Sequence, residues 1–220
     1  MALTVLYQDR SLLIAVKPVG VLSEEHPSEP CMPALIREAM GKPDAYVGTV
    51  HRLDKNVGGL MVYALTPSIA GKLTNALSDP DAGKEYLAVL SGIPAEESGT
   101  LTDLLFHDRQ KNKTYVVKRK RNGVKEASLS YRIRNTVEGK AVVSVKLHTG
   151  RTHQIRVQFA SRGLPLVGDG RYGGGSGAPA LFAYRLTFRH PITGKALRFE
   201  QYPEDRVLGG ISLPDVEEER

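Results

Sequence analysis

The chain reads as one α+β domain, a mixed and mostly antiparallel sheet flanked by a few helices. Three observations predict this class. Short apolar or alternating runs recur along the whole length, from Leu12–Val16 to Ala196–Tyr202. Helical spacing interrupts them in only three places. No linker, repeat or low-complexity tract separates two halves of the 220 residues. The domain is expected over residues 1–210, with an acidic tail over 211–220.

Taken in order, Leu12–Val16 is a strand stopped by Lys17-Pro18-Val19-Gly20. Leu22–Pro33 is rich in Glu, Pro and Ser and reads as a loop, and Ala34–Met40 as a short helix ended by Gly41 and Pro43. Strands are expected over Ala45–Val50 and Leu60–Leu65. Thr66 then caps a helix with Pro67 at its first position and Ile69, Leu73, Ala76 and Leu77 on one face. Lys84–Leu90 is a strand, and Tyr115-Val116-Val117 is a short one inside a basic hairpin. Leu129, Tyr131 and Ile133 alternate, as do Ala141, Val143, Val145 and Leu147, with Glu138-Gly139 turning between them. Such a pair is antiparallel with one solvated face. Thr152–Ser161 is a helix with Ile155 and Phe159 inward. Leu164–Gly175 is a Gly-rich loop, and Leu181–Phe188 with Ala196–Tyr202 forms a last hairpin.

Composition narrows the function. Hydrophobic residues make up 41% and charged residues 25%, the balance of a water-soluble globular chain. No apolar run approaches the roughly 20 residues that span a bilayer, so no membrane role is expected. Met1–Tyr7 lacks the features of a secretory signal. The lone Cys31 excludes an internal disulfide, suits a reducing cytoplasm and reads as a small buried or half-buried side chain. The net charge of +6 is concentrated between Arg109 and Lys125, a stretch that includes Lys118, Arg119, Lys120 and Arg121 and has no acidic residue. A basic hairpin of this kind can lie along phosphates, which makes nucleic acid the expected partner. No obligate protein partner is evident.

Chemistry concentrates in Val50-His51-Arg52-Leu53-Asp54-Lys55-Asn56-Val57-Gly58-Gly59-Leu60. Two cations and one carboxylate crowd into four residues there, as in a site that holds a polyanion and places a carboxylate. Asp-Lys-Asn before Gly-Gly is also ordinary turn chemistry, and the two readings coexist. His51 and Asp54 have no second ligand cluster, so no metal is expected. Gly173-Gly174-Gly175 lacks a following Gly-Lys-Ser/Thr and is no phosphate loop.

His51-Arg52-Leu53-Asp54 with Gly59-Leu60 resembles the catalytic motif of the RluA-type pseudouridine synthases. Thr149-Gly150-Arg151-Thr152-His153-Gln154-Ile155-Arg156-Val157 resembles their second signature, running on to Gly163–Asp169 and Tyr172-Gly173. Lys84–Ala88 is similar to the strand bearing the family's active-site tyrosine, and Lys17-Pro18-Val19-Gly20 to its early loop. The blocks keep the family's order from Leu12 to Pro203. Two departures stand out. Val57-Gly58-Gly59 replaces the family's Thr-Ser-Gly, and its small leading RNA-binding domain is missing, so a stand-alone catalytic domain is expected.

The resemblance implies a pseudouridine-synthase-like sheet and an enzyme that isomerises uridines of ribosomal or transfer RNA without a cofactor. It implies Asp54 as the carboxylate at the sugar–base junction, Arg156 as the cation that keeps it ionised and oriented, and Tyr86 as a flat face for the extruded base. Arg52 would contact phosphate in the space the base leaves, Ile155 would line the base, and His51 would support the loop. Extruding the base costs a few kcal/mol, hence the need for such a pocket. Two other classes remain open: an RNA-binding or remodelling protein of the same fold without catalysis, and a glycoside or nucleoside hydrolase with Asp54 as nucleophile. The latter needs a second carboxylate, and Asp169 is the only one in either signature block.

Overall fold

The computed structural model describes residues 3–214; the acidic run at 215–220 lies outside the described residues. In chain order the elements are β1 (Val5–Gln8), β2 (Leu12–Lys17), α1 (Met32–Met40), β3 (Gly48–Thr49), β4 (Gly58–Ala64), α2 (Pro67–Ala76), β5 (Gly83–Leu90), β6 (Ser98–Asp108), β7 (Lys113–Val117), β8 (Val124–Val137), β9 (Lys140–Leu147), α3 (Gln154–Ala160), β10 (Leu181–Arg189), β11 (Ala196–Glu200), β12 (Val207–Leu208) and β13 (Ile211–Ser212). The mostly antiparallel α+β class is the one observed. The described chain forms two compact units, residues 3–84 with 183–202 and residues 85–182 with 203–214. No described helix is long and apolar enough to cross a membrane.

In the first unit the strands run β1-β2-β4-β10, with β3 on β4 and β11 on β10. Leu12 pairs with Ala64 and Lys17 with Gly59, which sets the first strand of the sequence reading beside the strand that leaves the Asp54 turn. Leu12, Ile14, Leu60 and Val62 meet Ile69, Leu73 and Leu77 in one apolar cluster. Each such side chain stabilises the unit by about 1.5–3 kcal/mol. Helix α1 starts two residues before the expected Ala34, because Pro33 sits in the first turn, where no backbone N–H is needed. It ends as expected at Gly41, whose left-handed φ of 63° lets the backbone N–H groups of Gly41 and Lys42 satisfy the last carbonyls.

Two local expectations need correction in this unit. Thr66 precedes α2 with extended backbone but makes no capping bond, since its hydroxyl lies 3.2 Å from Ser68 Oγ instead. The strand expected over Ala45–Val50 shrinks to Gly48–Thr49, where the Tyr46 ring folds over the space beside Gly48. Gly59 is obligatory on steric grounds. Its φ is +131°, and a Cβ there would overlap the backbone of Ala183.

In the second unit the strands run β5-β9-β8-β6-β7. Glu138 and Gly139, at φ 51° and 74°, make the two-residue turn that closes Val137 against Lys140. The solvated face expected for this pair is absent from β9, where Ala141 through Val145 are all buried. Ser144 tolerates burial because Arg134 donates to its hydroxyl at 2.8 Å. Helix α3 is likewise buried all round, from Gln154 to Phe159, not only at Ile155 and Phe159. Gln158 enters that buried face with its amide nitrogen partnered: Nε2 donates to the Leu101 carbonyl at 3.2 Å and to Asp103 at 2.7 Å. Toward the C-terminal end Ile211, on β13 of the β12–β13 ribbon, and Leu213 just after it are buried.

Candidate active site

Buried Leu53 and Val57 bracket Asp54-Lys55-Asn56, so the chain between them must turn outward. The turn closes with the Val57 N–H donating to the Asp54 carbonyl at 2.9 Å. Turn chemistry and a placed carboxylate are therefore the same object here. Asp54 itself is half-buried, while Arg52 and Lys55 are exposed. Val57 is 2% exposed, so a hydroxyl at that position would be buried.

Two buried side chains from an earlier segment hold this turn by its backbone. Ser23 Oγ donates to the Leu53 carbonyl at 2.8 Å and accepts the Leu53 N–H at 3.0 Å. The Ser23 carbonyl in turn accepts the hydroxyls of Tyr63 at 3.1 Å and Thr49 at 3.2 Å. Lys17 is wholly buried, and its ammonium donates to the carbonyls of Pro18, Val21 and Lys55 at 2.9, 2.8 and 3.0 Å. Gly20 N–H adds a second donor to the Lys55 carbonyl at 2.8 Å. Burial pulls the Lys17 pKa down to about 8, and the charge of Asp54 works against that pull. Neither residue carried a role in the sequence reading. The Lys-Pro-x-Gly resemblance marked Lys17, and nothing local marked Ser23.

His51 accepts the Val62 N–H on Nε2 at 3.1 Å, which leaves its proton on Nδ1. Burial, helped by the charge of Lys84, pushes its pKa to about 3. The unfolded chain titrates near 6.5, so between those values it binds a proton that the fold refuses. The stabilisation is complete above pH 6.5 and is lost as pH falls toward 3. We expect unfolding free energy to fall by about 1–2 kcal/mol from pH 7 to pH 5 through this residue. His51→Gln keeps an acceptor for Val62 and should flatten that slope in denaturant titrations; an unchanged slope assigns it to other groups.

The second unit carries the remaining sequence-predicted residues. Tyr86 lies on β5 opposite Val145 and is 7% exposed. Ile155 and Arg156 are buried on α3, which excludes a solvated helix face for Arg156. Within this unit the carboxylate set against Arg156 is Asp169. Nε and Nη2 donate to its two oxygens at 2.7 and 2.8 Å, a two-pronged geometry that fixes the plane of the guanidinium. The guanidinium carbon lies 5.1 Å from the centre of the Tyr172 ring. Tyr172 accepts the Thr114 N–H at 2.9 Å and meets His153 Nδ1 at 2.9 Å. His153, at φ 54°, starts α3 from a left-handed conformation. Gln154 receives Thr149 Oγ1 at 2.8 Å and the Arg151 N–H at 3.0 Å, so much of the second signature serves to build the start of α3.

Lys118, Arg119, Lys120 and Arg121 lie exposed in the connection from β7 to β8, beside the hairpin that β7 makes with β6. Arg121 stacks on Phe106 at 4.9 Å. Cys31 is free and buried. Among the described residues no group of three or more His, Cys, Asp or Glu side chains is placed to hold a metal ion.

Residues 11–161 match the family model described as RNA pseudouridylate synthase. The chain is 34% identical over 227 residues to the ribosomal large subunit pseudouridine synthase D of Xanthomonas campestris, covering 92% of this chain and 67% of that protein. It is 31% identical to the uncharacterized RNA pseudouridine synthase YlyB of Bacillus subtilis, covering 93% of this chain and 71% of that one. In fold it is similar to human RNA Pseudouridylate Synthase Domain Containing 1, with a TM-score of 0.73 at 21% identity, covering 93% of this chain and 84% of that one.

Proposed function

Because the chain belongs to the RNA pseudouridylate synthase family, its reaction is the isomerisation of uridine in RNA to pseudouridine, and we propose that Asp54 supplies the carboxylate on which that reaction turns. The reaction breaks the bond between the sugar and uracil N1, turns the base and joins the sugar to C5, whose proton is released. Such a step needs a carboxylate held at the sugar–base junction. The observation that carries the assignment is the clamp on the Asp54 turn. Lys17, Gly20 and Ser23 grip the backbone of Lys55 and Leu53, on both sides of Asp54, and so fix where its carboxylate stands.

Arg156 and Tyr86 complete the reading, the guanidinium as the cation answering the carboxylate and the phenol as the surface and proton carrier for the turned base. Ile155 lines the base, His51 steadies the turn and Arg52 takes a phosphate. The binding-only reading has no use for a buried Arg156 held by two oxygens of Asp169. Asp169 is also 1% exposed and spoken for by that pair, which argues against its serving as the second acid of a hydrolase. Relatives named for the ribosomal large subunit make ribosomal RNA the substrate to test first. A reducing cytoplasm is the setting we propose.

The test is release of tritium from ribosomal RNA labelled at C5 of its uridines and taken from cells lacking this protein. Release above background supports the reading; none, with RNA binding intact, favours the non-catalytic one. RNA affinity also bears on the basic segment. Glutamate at Lys118, Arg119, Lys120 and Arg121 is expected to weaken binding by roughly 10-fold or more at low salt and to flatten its salt dependence. Unchanged affinity and salt slope take the segment out of the RNA interface.

A further inference from the structure

The exposed cations of the Asp54 turn are already occupied. Arg52 Nη1 lies 3.1 Å from a Glu24 carboxylate oxygen, and the Lys55 ammonium pairs with Glu29. Both glutamates belong to the segment between β2 and α1, the one whose Ser23 grips Leu53. Glu24 follows Ser23 directly, so its position is set by that buried anchor. Glu29 sits on a turn in which His26 Nδ1 accepts the N–H groups of Ser28 and Glu29 at 3.3 and 3.0 Å. The third glutamate of the segment, Glu25, goes to Arg37 of α1 at 2.6 Å and does not compete.

A tethered carboxylate meets its cation at a high effective concentration, so it competes with any anion arriving from solution. Yet exposed pairs of this kind are weak and screened by salt. A phosphodiester that brings its own released counterions can displace them, most readily when it reaches both cations together.

We propose that Glu24 and Glu29 are specificity-determining residues, tethered anions that hold the phosphate positions of Arg52 and Lys55 in the free enzyme and yield only to an RNA backbone that engages both. The inference rests on the reading of Arg52 as an RNA contact. Its consequence is discrimination: RNA that reaches neither cation is repelled by the glutamates, whereas RNA that follows the rim of the turn exchanges one anion for another.

The probe is a labelled oligouridylate, titrated against the full chain over a salt series. Glu24→Gln with Glu29→Gln is expected to tighten binding by roughly 3- to 10-fold at low salt, an advantage that shrinks as salt rises. In a chain that also carries Arg52→Gln and Lys55→Gln the same glutamate changes are expected to do nothing. Equal tightening in both backgrounds means that the glutamates act as bulk negative charge, and it overturns the pairing. No tightening, while Arg52→Gln with Lys55→Gln weakens binding, overturns the gate and leaves the phosphate contact standing. Full affinity in that last variant removes the phosphate contact and the gate together.

Discussion

Asp54→Asn should abolish tritium release, by at least about 10³-fold, in a protein that still folds and binds RNA. The substitution is isosteric, and the bonds that shape the turn use backbone atoms: Val57 N–H to the Asp54 carbonyl, Ser23 to Leu53, Lys17 and Gly20 to the Lys55 carbonyl. What is lost is the charge. A second readout follows from the neighbour that feels it. Asp54 holds the Lys17 pKa up against burial, so without the carboxylate that pKa should drop below about 8, visible in an NMR titration of the lysine. Equal release by variant and wild type would move the reaction to another residue.

Asp169→Asn should destabilise the protein by about 3–5 kcal/mol, because it removes one partner from a buried, two-pronged ion pair. For a chain of this size that is a fall in Tm of roughly 10 °C. Activity should fall too, since the plane of the Arg156 guanidinium is set by those two oxygens. Stability and catalysis can be separated. Arg156→Met with Asp169→Leu replaces the pair by apolar volume and should recover much of the lost stability while remaining inactive. A loss below about 1 kcal/mol for Asp169→Asn would mean that the pair holds nothing, and recovered activity in the double variant would remove Arg156 from the chemistry.

Most of the regular structure was legible because it obeys local rules. The strands around Ile14, Val62, Tyr86 and Phe188 are apolar runs with turn residues at their ends, and Pro67, Gly41 and Glu138-Gly139 mark boundaries by their own backbone preferences. The misses have equally local causes. Ser98–Asp108 buries only Leu101 and Leu105, four residues apart, so β6 shows no clear period of two. Val5–Gln8 is too short and too exposed to stand out.

By itself, the sequence determined the α+β class, the order of the chemical blocks and the place of Asp54 on a turn. Each of these is written in neighbouring residues. Only the tertiary structure decided which charges meet: Asp169 with Arg156, Glu24 with Arg52, Glu29 with Lys55, and the Lys17 ammonium with the Lys55 carbonyl. It also decided that Gln154–Phe159 of α3 and Ala141–Val145 of β9 would be buried, with partners such as Asp103 and Arg134 for their polar members. The physical reason is that an ion pair or a buried polar group is specified by distance through space and by lost water. Both are set by packing between segments ten or more residues apart, to which a local pattern of hydrophobicity is blind.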